Sequence, residues 1–174
     1  MDWFSWSECP YTLGIRKGFL MHTQTRTGQT LVIGCGNLLC GDDAVGPTLI
    51  QRFRDRGIPV GIDCFDAATD AISVIDAMRG RDSVVFVDAC LSGAAPGTII
   101  ALSGIDTEEV PAARIPVHGL RWSHAIAAAR QMLGAEYPRS VTAWLIEGLD
   151  FEPGAPLTPA VDKAIDQLIG RLVD

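Results

Sequence analysis

The chain has 174 residues, enough for one domain with a sizeable core. Hydrophobic residues make up 48% and charged residues 20%, which excludes a disordered or fibrous chain. A net charge of -7, from 14 Lys+Arg against 21 Asp+Glu, argues against nonspecific nucleic-acid or anionic-membrane binding and leaves room for cations or a basic partner surface.

Five cysteines, an odd number with no C-x-x-C, read as free thiols in a reducing, cytoplasmic protein. No apolar run reaches transmembrane length, so membrane insertion is not expected. Residues 1–27 have scattered aromatics and no period, and they lack the continuous apolar segment of a signal peptide. They read as a poorly ordered extension, with Met21 as a candidate start, and residues 28–174 read as a single α/β domain.

The ordered pattern opens with TLVIGCG over 30–36, a continuous apolar run ending in glycine, as in a buried parallel strand. A helix follows over 43–54, with Val45, Leu49, Ile50 and Phe53 on one face and Pro47 in the first turn. Asp42 or Asp43 is the expected N-cap. A second strand is predicted near 59–65 and a helix near 69–79 carrying Ile72, Ile75 and Met78. Strands at 83–87 and 98–102 are separated by the turn signal Ala94-Ala95-Pro96-Gly97. Their short connection suggests a hairpin, and hence one antiparallel strand. Residues 103–118 read as loop, 120–133 as helix and 141–146 as strand. The last helix begins at Thr158-Pro159 and runs through Val161, Ile165, Leu168 and Leu172. The alternation predicts a three-layer α/β/α sandwich around a mainly parallel sheet.

Three side chains stand at element ends where α/β proteins keep their chemistry. Asp43 lies at a helix start, which favours its ionised form, although a plain N-cap explains it equally. Asp88 ends the apolar run SVVFVDA, either as a functional carboxylate or as the start of an Asx-turn. His118 lies in IPVHGL, as a ligand or as a solvated loop imidazole. Two carboxylates and an imidazole suit a divalent first-row metal, but their separation in sequence does not enforce convergence.

Cys35, Cys64 and Cys90 fall near the ends of the first three strands. They read as small buried residues, with a sulfur-rich metal edge or a Cys–His–Asp hydrolase using Cys35 or Cys90 as the sharper alternatives. The Gly34-Cys35-Gly36-Asn37 turn lacks the third glycine of a dinucleotide fingerprint, where Leu39 stands, and no P-loop or nucleophile elbow occurs.

Taken together, LVIGCGNLLCGDDAVG, VVFVDAC, Ala95-Pro96-Gly97-Thr98, Val117-His118-Gly119-Leu120 and Leu157-Thr158-Pro159-Ala160-Val161 resemble, in order, the motifs of the hydrogenase maturation endopeptidases. The match spans about residues 30–172. The resemblance implies a five-stranded mixed sheet and a protease domain over 28–174. It implies removal of a C-terminal extension from the large-subunit precursor of a [NiFe] hydrogenase after nickel insertion. It also implies that Asp43, Asp88 and His118 contact that nickel, which the substrate presents; because two carboxylates and one His form an open site, the resting enzyme is expected to hold no metal of its own. One segment departs: Asp66-Ala67-Ala68-Thr69-Asp70-Ala71 has alanine where the family has glycine, which disfavours positive φ there and alters one wall of the cleft. A non-catalytic metal-sensing assembly factor on the same fold is the alternative expectation.

Overall fold

The computed structural model describes residues 30–68, 71–103 and 122–173. The expected extension over 1–27 and the expected loop over 103–118 beyond its first residue, with His118, lie outside the described residues, as do residues 119–121. Five strands, β1 (Thr30–Cys35), β2 (Ile62–Ala68), β3 (Ser83–Cys90), β4 (Ile99–Ser103) and β5 (Ser140–Glu147), form one sheet in the order β2-β1-β3-β5-β4. The first three pairings are parallel and β4 runs antiparallel to β5. Helices α1 (Val45–Arg56) and α4 (Pro159–Val173) cover one face, and α2 (Ala71–Met78) and α3 (Trp122–Leu133) cover the other.

Alternation along the strands divides the core in two. Leu31, Ile33 and Cys35 of β1 join Phe86, Ala143, Trp122 and Ile126 on the α2/α3 side. Val32 joins Val85, Val87 and Ile146 beneath Leu49, Ile50, Phe53, Val161, Ile165 and Leu168 on the α1/α4 side. β3 is buried from Val84 to Cys90, which marks it as the central strand. On the α1/α4 face, Arg52 and Arg56 of α1 pair with Asp162 and Asp166 of α4 over the outer surface.

Two expectations are corrected. β4 forms no hairpin with β3, because β5 lies between them. The linking segment, 91–98, is longer than tight hairpin loops and steps over one strand, so the half-exposed β4 becomes an edge while the apolar β5 takes the buried slot. Nor does an aspartate cap α1. A turn of 3₁₀ helix, Gly41–Ala44, precedes it and contains both aspartates, and Ala44 is the N-cap with no side-chain bond.

β3 also runs three residues beyond its predicted end, so Asp88 stands within the strand. At the departure from the family pattern, Ala67 is buried and β2 continues through Ala68, so extended backbone serves there without glycine. Gly34 and Gly46 do need their hydrogens: a Cβ on Gly34 would meet the Gly46 carbonyl oxygen at 2.4 Å, and one on Gly46 the Cys35 oxygen at 2.1 Å. This contact seats the start of α1 directly on the end of β1.

Candidate active site

The chain moves from β1 outward to β2, then returns past β1 to β3. Strand order therefore reverses between β1 and β3, and the carboxyl ends of these neighbours form a topological switch point, where open α/β sheets bind ligands. Gly34 pairs with Val87, which sets Cys35 beside Asp88 across the two strands. Asp43 arrives from the 3₁₀ turn, whose backbone folds over the end of β1: Asn37 N–H donates to the Asp43 carbonyl at 3.1 Å and Asp43 N–H to the Cys40 carbonyl at 3.0 Å. Gly36, at φ 120°, permits this return, since a Cβ there would lie 1.9 Å from the Asp43 oxygen.

Asp43 and Asp88 are both buried, at 7% and 8% exposure. The Asp88 carboxylate accepts the Ala89 N–H at 2.9 Å. Burial nonetheless pushes its pKa up to about 7, and the negative charge of Asp43 pushes the same way, against the pull of that N–H. The Cys35 thiol lies among three carboxylates. Its pKa is raised well above the ordinary thiol value by burial first, then by the charges of Asp88, Asp66 and Asp43. The two described residues of the expected trio thus sit within electrostatic reach of each other. Among the described residues, no three His, Cys, Asp or Glu side chains converge as a metal-ion set. His118 precedes Trp122, the fully buried first residue of α3 on the Asp88 face of the sheet, by four positions.

The thiols do not support a cysteine nucleophile. Cys90 is pushed up to about 12, by burial first and then by Glu147 and Asp88, and Cys35 shifts the same way, so neither supplies the thiolate a nucleophile requires. Cys64 packs on the α1/α4 face, away from Cys35 and Cys90, so the three thiols share no edge. A phosphate cradle is also unsupported: the amides of Asn37, Asp42 and Asp43 are bonded to backbone carbonyls.

Two carboxylates escaped the sequence reading in these roles. Asp42, read there as a cap, is fully buried and accepts bonds from the segment between β5 and α4. Glu147 closes β5 opposite Cys90 and is 2% exposed. Burial alone would raise its pKa, but the Ser92 hydroxyl (2.7 Å), the Ser92 and Gly93 N–H groups (2.9 and 2.8 Å) and the Cys90 thiol (3.3 Å) hold it below the usual carboxylate value. Its signal was in the chain: like Asp88, it is an acid following an apolar run.

The fold is an α/β sandwich with buried carboxylates gathered at the switch point of its sheet. Comparison with known proteins narrows the class. A family profile described as hydrogenase maturation protease matches residues 45–174. The Hydrogenase 2 maturation protease of Escherichia coli K12 is 30% identical over 150 residues, covering 83% of this chain and 88% of the relative. Hydrogenase expression/formation protein HupD of Bradyrhizobium diazoefficiens is 29% identical over 151 residues, covering 83% and 76%. Among solved structures, the hydrogenase maturating endopeptidase HybD from E. coli matches with a TM-score of 0.72 at 27% identity, covering 83% of this chain and 89% of that one. The chain belongs to the hydrogenase maturation protease family and is a peptidase that processes hydrogenase.

Proposed function

We propose that this peptidase removes the C-terminal extension of a [NiFe] hydrogenase large-subunit precursor, and that it recognises the precursor through its inserted nickel. Asp43, Asp88 and His118 are the residues assigned to contact that ion. The observation that supports this most is the buried pair Asp43 and Asp88, in which burial first and then the charge of Asp43 push the Asp88 pKa up to about 7. A divalent cation brought by the substrate relieves that cost, so binding is favoured only when the precursor is loaded. Carboxylate and imidazole are acceptable nickel ligands alongside the thiolates that already hold the ion in the precursor.

The nickel fixes the scissile bond near the carboxylates, and Asp43 or Asp88 takes the proton of the attacking water as general base. The water oxygen bonds to the scissile carbonyl carbon, the peptide C–N bond breaks, and the released amine takes a proton. Four free cysteines among the described residues support a reducing, cytoplasmic setting. No helix among the described residues is long and apolar enough to cross a membrane.

The test is mass spectrometry of precursor incubated with the enzyme, with and without nickel. Trimming of the loaded form alone is expected. Asp43→Asn, Asp88→Asn and His118→Ala should each slow it by about 100-fold or more. Equal trimming of both forms overturns the recognition role, and undiminished activity of the variants overturns the site. A folded protein that binds loaded precursor without cutting it would instead be the assembly factor.

A further inference from the structure

We propose that Asp42 is a positioning residue for the reaction: its buried carboxylate locks the turn that carries Asp43 and so fixes how Asp43 faces Asp88. The inference rests on the reading of Asp43 and Asp88 as the substrate-metal pair.

Asp42 is fully buried. Its Oδ2 accepts the Leu149 N–H at 2.8 Å, the Asp150 N–H at 3.2 Å and the Thr158 hydroxyl at 3.0 Å, and its Oδ1 accepts the Thr158 N–H at 2.7 Å. Its own N–H donates to the Asp150 carbonyl at 2.7 Å. Five bonds on one residue therefore join the segment after β1 to the segment between β5 and α4.

Three donors on Oδ2 and one on Oδ1 commit this fully buried carboxylate to the 148–158 segment. The adjacent aspartates are thereby separated in role. The chain turns by roughly 120° per residue in a 3₁₀ helix, so Asp42 and Asp43 leave the turn in different directions. Asp42 points to the 148–158 segment, and Asp43 acts on Asp88 and Cys35. Capping does not account for the bonds of Asp42, because α1 is capped by Ala44 and the four donors belong to another part of the chain. What they fix is the rotation of the turn, and the rotation sets the direction of Asp43.

The experiment compares Asp42→Asn, Thr158→Val, Asp43→Asn and the double variant Asp42→Asn/Asp43→Asn with wild type. Thermal melting is read alongside kcat and KM for trimming of nickel-loaded precursor, well below each melting temperature. Asn keeps one acceptor oxygen and turns an NH₂ toward neighbouring N–H groups, so kcat should fall about 10- to 100-fold, as for groups that orient metal-contacting residues, with KM nearly unchanged. Thr158→Val, which removes only the hydroxyl donor, should lower kcat by a smaller factor with near-wild-type melting. The double variant should be no slower than Asp43→Asn alone, because both act through the same carboxylate. A variant that melts earlier but cuts at the wild-type kcat, or a double variant slowed by the product of the two single effects, overturns the proposal. Should Asp42→Asn fail to fold, Thr158→Val decides: unchanged kcat overturns it. Wild-type trimming by Asp43→Asn overturns the underlying site and this inference with it.

Discussion

The two edges of the sheet use carboxylates in opposite ways. At the amino edge they are matched with cations: Asp63 at the start of β2 pairs with the buried Arg81, Glu136 and Asp76 with Arg79, and Asp82 with Arg139 at 3.7 Å. At the carboxyl edge, the segments 36–44, 88–98 and 147–158 contain no Lys, Arg or His, yet they hold Asp42, Asp43, Asp88, Glu147, Asp150 and Glu152. There Asp42 and Glu147 are satisfied by N–H, O–H and S–H donors, and Asp88 has, among the described residues, one backbone donor and a repelling neighbour. One edge is built to close the molecule. The other, in these segments, gathers negative charge in low dielectric, which under the proposed function favours the cation that the substrate brings.

This contrast can be broken most forcefully at Asp88. Asp88→Asn should reduce trimming of nickel-loaded precursor by about 100-fold or more, whereas Arg81→Met at the amino edge should leave kcat and KM unchanged. The same Asp88 variant should be more stable than wild type at alkaline pH. The folded-state pKa is raised from 3.8 to about 7, so the folded protein holds a proton that the unfolded chain has lost across that interval. Wild-type stability therefore falls as pH rises toward and through about 7, and the variant does not share the loss. In chemical denaturation, the variant's advantage should grow between pH 5 and pH 8 by a few kcal/mol at most, since each tenfold change in proton affinity corresponds to about 1.4 kcal/mol. An advantage that is the same at both pH values would mean that Asp88 is not burdened by burial.

Smaller effects sharpen the other side of the comparison. Arg81→Met leaves Asp63 without its cation, but Asp63 is 31% exposed, so a loss of about 1–2 kcal/mol in denaturant titration is expected, below that of a fully buried pair. Arg79→Ala, on the surface, should leave the melting temperature unchanged within measurement.

Much of the architecture was legible because long apolar runs impose their own period. The runs TLVIGC and SVVFVDAC could only be buried strands, and the spacing of Val45, Leu49, Ile50 and Phe53 could only be a helix face. Pairing partners were not legible. Proximity in sequence suggested β3 with β4, but which strand fills the slot beside β3 depends on how apolar both faces of β5 are, a competition between distant segments. The doublet Asp42-Asp43 shows a second limit. Its position at the switch point could be read, but the division of labour within it depends on donors more than 100 positions away. Glu147 could have been found by the rule that flagged Asp88. The convergence of His118 with the carboxylates stays an expectation from the motif, as that residue lies outside the described part of the chain.

The step of residues 91–98 across β5 also fixes an order of events. β4 leaves the growing polypeptide some forty residues before the strand it must pair with, and β3 likewise waits for that strand to fill its open side. Half of the sheet is therefore incomplete until the last fifth of the chain emerges, a long-range assembly of the kind that folds slowly. A ribosome-tethered or truncated chain ending before Ser140 leaves β4 unpaired, one side of β3 open and Glu147 absent. Synthesis of nearly the whole molecule must therefore precede completion of the sheet.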